Sequence, residues 1–389
     1  MFKISAKIQK INPSETLSIT SRAKAMLKAG EDVVILAAGE PDYDTFDVVK
    51  DAAIKAIKDG FTKYTPSGGT VSLKEAIRRK LKNENGLDYS LDEIAVSCGA
   101  KHSLYNIFQV ICNPGDEVIV ITPYWLSYPE MITLAGAKTV FVKTTFKDGF
   151  KAKIKDIESA ITKKTKAIII NSPSNPAGVV YDREDLEKIA KICLKKNILI
   201  VSDEIYEKVL FDGKKHISIA SLSDDIKRLT IVVNGVSKSY SMTGWRIGYA
   251  AGDKDIIKAV VTLQSHSTSN PCSISQAAAE CAMNRDLSGE MKKNRLEFQR
   301  RRDFIIKELS GEKKIKAFNP AGAFYVFCDI SKCGLDSMTF AQKLLDEKKV
   351  AVIPGFPFGE DGFIRLSFAT DLDTIAKGMK RIKELVNSL

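Results

Sequence analysis

The stretch that decides the fold of this 389-residue chain is Val233-Asn-Gly-Val-Ser-Lys-Ser-Tyr-Ser-Met-Thr-Gly-Trp-Arg-Ile-Gly-Tyr249. Its pattern predicts a strand, a loop and a second strand, and the loop holds Lys238 among small and hydroxyl-bearing residues. A lysine is nucleophilic only as the free amine, and partial burial near other cations lowers its pKa. Arg246 can meet a phosphate with two parallel donors, and Ser237 can add a hydroxyl. The stretch therefore suits a lysine that forms a Schiff base beside a phosphate.

Two interpretations of this stretch are open. One is a site for pyridoxal phosphate, which Lys238 would bind covalently while Ser237 and Arg246 hold its phosphate. The other is a glycine-rich loop with ordinary surface charges, because Ser-Lys pairs are common. The rest of the chain has to distinguish them.

Length and composition predict the class of protein. The chain has 389 residues, of which 44% are hydrophobic and 28% charged, as in a globular protein with two domains or one large α/β domain. No apolar run approaches a membrane span, and the first residues lack the apolar core of a signal peptide. We therefore expect a cytoplasmic protein without membrane association.

Charge and metal-binding residue types argue against two further classes. The net charge is +11, but the densest basic run, residues 291–302, has apolar positions at helical spacing and no nucleic-acid-binding motif beside it. The seven cysteines are scattered without a Cys-x-x-Cys pair, and the three histidines are dispersed. We expect no nucleic-acid partner, no disulfide framework and no metal site.

Strand and helix patterns alternate through the middle of the chain, which predicts a mainly parallel sheet covered by helices on both faces. In such sheets ligands bind at the carboxyl ends of the strands. After about residue 284 the pattern changes to a smaller α+β unit with a long first helix. The predicted strands are 93–97, 117–121, 139–142, 166–170, 198–202, 230–233, 247–251, 324–329 and 363–367, and the predicted helices include 104–111, 126–135, 154–161, 183–196, 337–348 and 374–386.

Two loops that follow predicted strands carry candidate binding groups. Gly99-Ala100-Lys101 opens a helix, where backbone amides and the helix dipole favour a phosphate, although small residues also open helices merely for packing. Two X-Pro steps restrict Ser172 and Asn175 to extended or turn geometry and so hold Asn175 rigidly, although a purely structural turn would use the same composition.

Four side chains near strand ends have both a functional and a structural interpretation. Asp203 ends an apolar strand, where it could meet a protonated pyridine nitrogen or cap the following turn. Tyr206 could reach the ring hydroxyl of the same cofactor. Trp125 could stack on an aromatic ring or lie in a core. Arg365 interrupts another apolar strand and needs a carboxylate, either from a substrate or from an aspartate or glutamate of the chain.

Taken together and in this order, the motifs resemble class I aminotransferases of pyridoxal-phosphate fold type I, most closely the bacterial aspartate aminotransferase subgroup. The resemblance covers nearly the whole chain. It implies a large domain with a mainly parallel seven-stranded sheet between helices, plus a smaller α+β domain formed by both chain ends. The corresponding boundaries are 1–45 for an N-terminal segment joining the small domain, 46–287 for the large cofactor-binding domain and 288–389 for the small domain. The matching runs are Gly39-Glu-Pro-Asp42, Tyr64-Thr-Pro-Ser-Gly68, Pro114-Gly-Asp-Glu-Val118, Pro123-Tyr-Trp125, Ser172-Pro-Ser-Asn-Pro-Ala-Gly178, Ser202-Asp-Glu-Ile-Tyr206, Met242-Thr-Gly-Trp-Arg-Ile-Gly-Tyr249 and Arg365-Leu-Ser-Phe368.

The resemblance also implies a role for each matched residue. Lys238 would be the Schiff-base lysine and proton shuttle, and Asp203 would hold the pyridinium nitrogen. Asn175 and Tyr206 would bind the ring oxygen, while Trp125 would stack on the ring. The phosphate would be held by Gly99, Ala100, Ser237, Arg246 and Tyr64 of the neighbouring subunit, and the substrate's α-carboxylate side by Arg365, Asn175 and Gly39.

Substrate preference rests on fewer residues. In this subgroup a lysine matching Lys101, with hydroxyls matching Ser14 and Thr16, is associated with the distal carboxylate of a dicarboxylic substrate. Lys101 could instead bind only the phosphate, and the two hydroxyls could be helix caps. Relatives that also accept prephenate tend to carry lysine where this chain has Asn12, which argues against that second activity.

The resemblance implies a homodimeric enzyme with active sites shared between subunits, which transfers the amino group of L-aspartate to 2-oxoglutarate. Two alternatives keep the fold and the cofactor: an aromatic or broad-specificity aminotransferase, and a pyridoxal-phosphate carbon–sulfur lyase. A ligand-sensing module without activity is a third, but such regulators carry a fused DNA-binding domain, and only about 40 residues precede Gly39 here.

Overall fold

Runs of β-branched residues between amphipathic helices form the sheet that carries the site. The computed structural model describes residues 2–13 and 15–389, and only the backbone of residues 15–17. The helices are α1 (Glu15–Lys28), α2 (Asp47–Lys58), α3 (Val71–Asn85), α4 (Ala100–Ile111), α5 (Ser127–Leu134), α6 (Ile154–Ala160), α7 (Arg183–Lys196), α8 (Asp224–Arg228), α9 (Lys254–Ser265), α10 (Ser273–Asn284), α11 (Ser288–Leu309), α12 (Ser337–Lys348) and α13 (Leu372–Ser388). The strands are β1 (Val34–Ile35), β2 (Ile94–Ser97), β3 (Glu117–Ile121), β4 (Lys138–Val142), β5 (Thr165–Asn171), β6 (Leu199–Asp203), β7 (Thr230–Gly235), β8 (Gly248–Ala251), β9 (Lys316–Phe318), β10 (Tyr325–Asp329), β11 (Val350–Ala351), β12 (Ile353–Pro354) and β13 (Phe363–Ser367).

The large sheet has seven strands in the order β2-β8-β7-β6-β5-β3-β4. Strand β8 runs antiparallel to both of its neighbours, and the other pairs are parallel. The predicted mainly parallel seven-stranded sheet is thus confirmed. In the β5–β6 pair Asn171 lies beside Asp203, so the carboxyl ends of these strands bring polar side chains to one edge.

Both faces of this sheet are buried. Successive residues of β5 point to opposite faces: Ile169 packs in a cluster with α4, α5 and α9, whereas Ile168 and Ile170 pack in a cluster with α6 and α7. This two-sided burial explains why the strands read as continuous apolar runs in the sequence.

Helix α7 shows how local sequence fixes an element. Asp182 accepts a hydrogen bond from the backbone N–H of Asp185 at 3.0 Å and so caps the helix start. Asn197 ends the helix in the left-handed conformation with φ 50°. Both residues suit those positions, and the predicted and observed bounds of the helix coincide.

The C-terminal part forms a second, four-stranded antiparallel sheet in the order β12-β13-β10-β9. Strand β1 pairs in parallel with β11, so an N-terminal segment joins this part of the chain. Helix α13 packs on α11, α12, β1 and β11. The predicted α+β unit built from both chain ends is therefore present, whereas the boundaries at residues 45 and 287 remain predictions. Within the described residues, no helix combines the length and apolar character needed to cross a membrane.

Candidate active site

A cavity of about 480 Å³ lies at the carboxyl ends of the central strands. It is bounded by the loop after β7, the starts of α4 and α5, and parts of α1 and β13. The predicted site residues that line it are Gly39, Ala100, Lys101, Trp125, Asn175, Asp203, Tyr206, Ser237, Lys238, Arg246 and Arg365.

Lys238 reaches into this cavity from the loop after β7. Its Nζ donates a hydrogen bond to the backbone oxygen of Gly39 at 2.6 Å. Burial lowers the pKa of Lys238 to about 8; the carboxylate of Glu40 opposes this shift, whereas Arg246 and Arg365 add to it. A lysine with this pKa is partly a free amine near neutral pH, as a nucleophile or a base requires.

An anion cradle lies at the start of α4, beside Arg246. Gly99 precedes the helix with φ 90°, and a Cβ atom on it would lie 2.5 Å from Nη2 of Arg246. On the other side, a Cβ on Gly248 would lie 2.1 Å from the backbone nitrogen of Ala100. Glycine at both positions therefore lets the guanidinium and the helix start approach each other. The guanidinium of Arg246 and the positive end of the α4 dipole, lying side by side, favour a bound anion.

Asp203 ends β6 as a buried carboxylate. The hydroxyl of Tyr128 donates to its Oδ2 at 2.6 Å, and the backbone N–H of Ile205 donates to Oδ1 at 3.3 Å. Burial is the main reason that the pKa of Asp203 is raised to about 6. Among the described residues Asp203 forms no salt bridge, so a cationic ligand group would stabilise its ionised form.

Arg365 is buried and points into the same cavity from β13. It donates hydrogen bonds to Oδ1 of Asn175 and to the backbone oxygen of Ala37, each at 2.9 Å. Its guanidinium lies 4.2 Å from the ring centre of Tyr325, and its Nε has no hydrogen-bond partner among the described residues. No described carboxylate pairs with it, which removes the alternative of an internal salt bridge. A buried, uncompensated guanidinium is suited to a substrate carboxylate.

Asn175 and Tyr206 are held by neighbours. The backbone N–H of Asn175 donates to Oδ1 of Asn171 at 3.0 Å, and the side chain of Asn171 donates to the backbone oxygen of Asp203 at 3.0 Å. The hydroxyls of Tyr206 and Tyr325 are 2.9 Å apart. Both X-Pro bonds of this loop, including Asn175-Pro176, are cis.

Trp125 and Lys101 form another wall of the cavity. Nζ of Lys101 lies 4.8 Å from the ring centre of Trp125, which meets Tyr128 edge-on at 5.4 Å. Burial, and then the charge of Arg246, lower the pKa of Lys101. Among the described residues no carboxylate forms a salt bridge with Lys101, so its charge is available to a ligand.

These residues fit pyridoxal phosphate as the resemblance predicts. The cradle at Gly99 and Arg246 suits a phosphate, and the buried carboxylate of Asp203 suits a protonated ring nitrogen. Lys238 lies in the same cavity with a lowered pKa. The unpartnered Nε of Arg365 leaves a donor for a carboxylate.

Comparison with known proteins agrees with this geometry. Residues 31–382 match the sequence profile of the family described as aminotransferase class I and II. The chain is a class I and II aminotransferase. It is 52% identical to an aspartate aminotransferase of Bacillus sp. (strain YM-2) over 387 residues, 98% of each chain. It is 47% identical to a probable aspartate/prephenate aminotransferase of Rickettsia conorii over 395 residues, 99% of this chain and 98% of the other.

Solved structures of related aminotransferases show the same fold. The aspartate aminotransferase from Thermus thermophilus with maleate superposes with a TM-score of 0.95 at 41% identity, covering 99% of this chain and 100% of the other. The aspartate aminotransferase from Rhizobium meliloti gives a TM-score of 0.95 at 40% identity, covering 100% and 99%. The predicted family and fold type are confirmed.

Two predicted site residues of this aminotransferase, Gly99 and Tyr64, do not line the cavity, and two others, Ser14 and Thr16, have no described side chain. Tyr64 is 92% exposed and does not line the cavity of its own chain. Ser14 lies outside the described residues, and for Thr16 only the backbone, within α1, is described. Asn12 binds Glu130 of α5 through its backbone N–H at 3.3 Å and through Nδ2 at 3.1 Å.

Several residues that border the aminotransferase cavity are absent from the sequence-based predictions. Tyr128 holds Asp203, and Tyr325 contacts both Tyr206 and Arg365. Tyr128 lies one helical turn after Trp125, a spacing that offered some signal. Tyr325 gave none, because it reads as one more aromatic residue of a buried strand. The other unpredicted lining residues include Thr20, Lys24, Glu40, Leu104 and Asn171.

Proposed function

We propose that this aminotransferase transfers the amino group of L-aspartate to 2-oxoglutarate with pyridoxal phosphate as cofactor. The observation that carries the proposal is one cavity that holds Lys238 together with Arg365 and Lys101. No described carboxylate neutralises these last two cations, which together suit the two carboxylates of a dicarboxylic acid. Relatives about half identical to this chain are named aspartate aminotransferases.

The cofactor would be held by residues that line the cavity. Asp203 would accept the proton of the ring nitrogen, Asn175 and Tyr206 would bind the ring oxygen, and Trp125 would stack on the ring. When bound, pyridoxal phosphate supplies an electron-withdrawing ring that stabilises negative charge at the α-carbon of the amino acid. Its phosphate would be bound by Gly99, Ala100, Ser237 and Arg246, and by Tyr64 of a second copy.

The chain's own groups then account for binding and proton transfer. Arg365 binds the α-carboxylate, so that the α-hydrogen faces Lys238. The free amine of Lys238 removes this proton and later returns it, which its pKa of about 8 allows near neutral pH. Asn175 orients Arg365 through its hydrogen bond at 2.9 Å. Lys101, with Ser14 and Thr16, would bind the distal carboxylate.

The assembly and location belong to the same proposal. The ring of Tyr64 is 92% exposed, as expected for a side chain that completes the site of a neighbouring subunit. We therefore propose that the protein is a homodimer whose subunits share their active sites, and that it is located in the cytoplasm. The division into residues 46–287 and 288–389, with 1–45 joining the second, is proposed with it.

A second candidate is an enzyme that also accepts prephenate. Relatives from Rickettsia with 46–47% identity are named probable aspartate/prephenate aminotransferases. Asn12 argues for the narrower activity: its neutral amide binds Glu130, and the resemblance implies that aminotransferases accepting prephenate tend to carry a lysine at this position. An aromatic preference and a carbon–sulfur lyase have no structural observation in their favour.

The direct test is product formation by the purified protein with added pyridoxal phosphate. Oxaloacetate should form from L-aspartate and 2-oxoglutarate, with kcat/KM well above the values for tyrosine, phenylalanine and prephenate-derived substrates. Faster turnover of aromatic donors, or release of pyruvate from a sulfur-containing amino acid, would contradict the proposal.

Lys101 gives a prediction about selectivity. Lys101→Gln keeps much of the side-chain length but removes the charge, so a hydrogen bond to the distal carboxylate loses about 1.5–3 kcal/mol. We expect kcat/KM for L-aspartate to fall roughly 10- to 100-fold, while kcat/KM for alanine or phenylalanine changes little. Steady-state kinetics with matched donors measures this. An equal loss for neutral donors would assign Lys101 to the cofactor phosphate instead.

A further inference from the structure

A buried charged cluster lies behind the cavity, on the opposite side of the turn that ends β6. Glu204 directly follows Asp203 and is buried. Its Oε1 accepts hydrogen bonds from the hydroxyls of Ser202 at 2.8 Å and Ser218 at 2.6 Å, and its Oε2 lies 2.8 Å from Nε2 of His216. The carboxylate is therefore fully engaged, and none of these bonds enters the active-site cavity.

A second carboxylate joins the cluster one turn later. Glu207 is buried and contacts the ammonium of Lys80, which is itself buried on α3. Asn85 donates a further hydrogen bond to Glu207 at 2.9 Å. Glu204, Glu207 and His216 present ligand-type atoms within 4.8 Å of one another, but Lys80 already supplies a cation to Glu207. Glu207 is thus compensated from within the chain.

The charges of this cluster balance only if His216 is protonated. Its buried members are two carboxylates, Glu204 and Glu207, and one ammonium group, Lys80, whereas the exposed Glu84 lies 3.8 Å from Lys80 and pairs with Lys208 at 2.7 Å. Uncompensated buried charge is strongly unfavourable, so a second buried cation is needed. His216 is the remaining basic group in contact with the cluster among the described residues, and its side chain is 9% exposed.

The cluster is linked to the cofactor side of the fold because Glu204 directly follows Asp203 in the chain. Asp203 lines the cavity, whereas the adjacent Glu204 bonds to Ser218 and His216 outside it. The negative charge of Glu204 is one of the influences that raise the pKa of Asp203. A cation on His216 offsets that charge. Loss of this cation would make ionisation of Asp203 harder, and only the ionised form can hold a protonated ring nitrogen.

We propose that His216 is a positioning residue: its imidazolium neutralises Glu204 and thereby keeps the neighbouring Asp203 carboxylate ionised for the cofactor's ring nitrogen. This rests on the proposed function, because it assigns Asp203 to that nitrogen. His216 does not line the cavity, and it acts through Glu204 and the turn that Glu204 shares with Asp203.

The protonation behaviour of His216 agrees with its surroundings. Burial alone would lower its pKa, but the charge and hydrogen bond of Glu204 and the charge of Glu207 outweigh burial, so the pKa is raised above 6.5. The stabilisation from this proton is therefore complete below the unfolded value and is lost as pH rises through the folded value. The charged or titratable groups around the cluster are Glu204, Glu207, Lys80, Glu84, Lys208, Tyr89, Tyr240 and Tyr249.

Two single variants with opposite charge changes test the proposal. His216→Gln removes a positive charge, so the acid limb of kcat/KM, and of pyridoxal phosphate affinity measured by equilibrium titration, should move up by about one pH unit. Glu204→Gln removes a negative charge and should move the acid limb of kcat/KM and that of pyridoxal phosphate affinity to lower pH. The double variant restores the charge balance and should return them to within a few tenths of the wild-type value. A merely structural role would shift both single variants in the same direction or leave the limbs in place, and either result overturns the proposal.

Histidine NMR supplies a readout that does not depend on turnover. The chain has three histidines, and His216→Gln assigns the resonance of His216 in the full-length protein. This imidazole should stay protonated to a pH above 6.5, the ordinary histidine value, and Glu204→Gln should lower that pH. Deprotonation of His216 at or below pH 6.5 would overturn the proposal.

The two proposals fail in different ways. A wild-type protein that does not bind pyridoxal phosphate overturns the proposed function and with it the role of His216. The other failure concerns His216 alone. Its role is overturned if the wild-type protein binds the cofactor and transaminates, but the acid limbs of the two variants do not shift in opposite directions.

Discussion

Replacement of Lys238 by alanine is expected to lower kcat/KM for L-aspartate by at least about three orders of magnitude, the size of a general-base contribution. Lys238 is the lysine whose Nζ binds Gly39 inside the cavity, and its pKa of about 8 makes the free amine available near neutral pH. Two other lysines line the cavity, Lys24 and Lys101, and the latter contacts Trp125. Steady-state and single-turnover kinetics on the loaded protein measure the loss.

Lys238→Arg is the matched control. Arginine keeps a positive charge in the cavity but has no free amine at physiological pH, so it should be nearly as inactive as alanine. Circular dichroism and thermal unfolding should show that both variants remain folded. Full turnover by Lys238→Ala would contradict the assignment of Lys238 as the proton-transfer group.

Replacement of Arg365 by alanine should lower kcat/KM for all amino-acid donors by about 10²- to 10³-fold. The guanidinium binds Asn175 and the backbone of Ala37 and keeps an unpartnered Nε. Loss of two charge-assisted hydrogen bonds to the α-carboxylate removes about 3–4 kcal/mol, which corresponds to this factor. Most of the loss should appear in KM, because the carboxylate is bound in both the ground state and the transition state.

Arg365→Lys separates charge from geometry. Lysine keeps the charge but cannot form the bidentate contact, so its kcat/KM should lie between those of wild type and alanine. The contrast with Lys101→Gln is informative, since that variant should affect dicarboxylic donors alone. An Arg365→Ala protein with unchanged KM for L-aspartate would show that another group binds the α-carboxylate.

Much of the fold can be predicted from the sequence because its strands are buried on both faces. Strand β5 is a nearly continuous apolar run, and its burial in two separate clusters leaves little ambiguity. The ends of α7 follow from Asp182 and Asn197, which carry their own capping chemistry. Such local signals do not depend on the rest of the structure.

Other elements are absent from the predictions for two different reasons. Strands β1 and β11 have two residues each and form because they pair with each other. No local sequence pattern therefore predicts them. Helix α2 has an amphipathic pattern, with Val49, Ala53 and Ala56 buried at helical spacing. It is absent from the predictions because the alternation of strands and helices does not require a helix at this position.

The candidate site follows the same division. Asp203, Asn175 and Lys238 could be found because parallel strands present their carboxyl ends at one edge. Tyr325 could not, and Tyr128 only weakly through its spacing from Trp125, since each meets its partner across more than 70 residues of sequence through a side-chain contact. Tyr64 needs a second subunit to acquire a role, which one chain alone does not show.

The visible absorption spectrum of the purified protein, loaded with pyridoxal phosphate, tests the central claim most directly. L-aspartate added without any oxo acid should abolish the visible band, and 2-oxoglutarate should then restore it, as a two-step amino transfer between dicarboxylic acids requires. A band that ignores L-aspartate but responds to another amino acid would contradict the substrate proposal. No band at all after addition of the cofactor would contradict the role of Lys238.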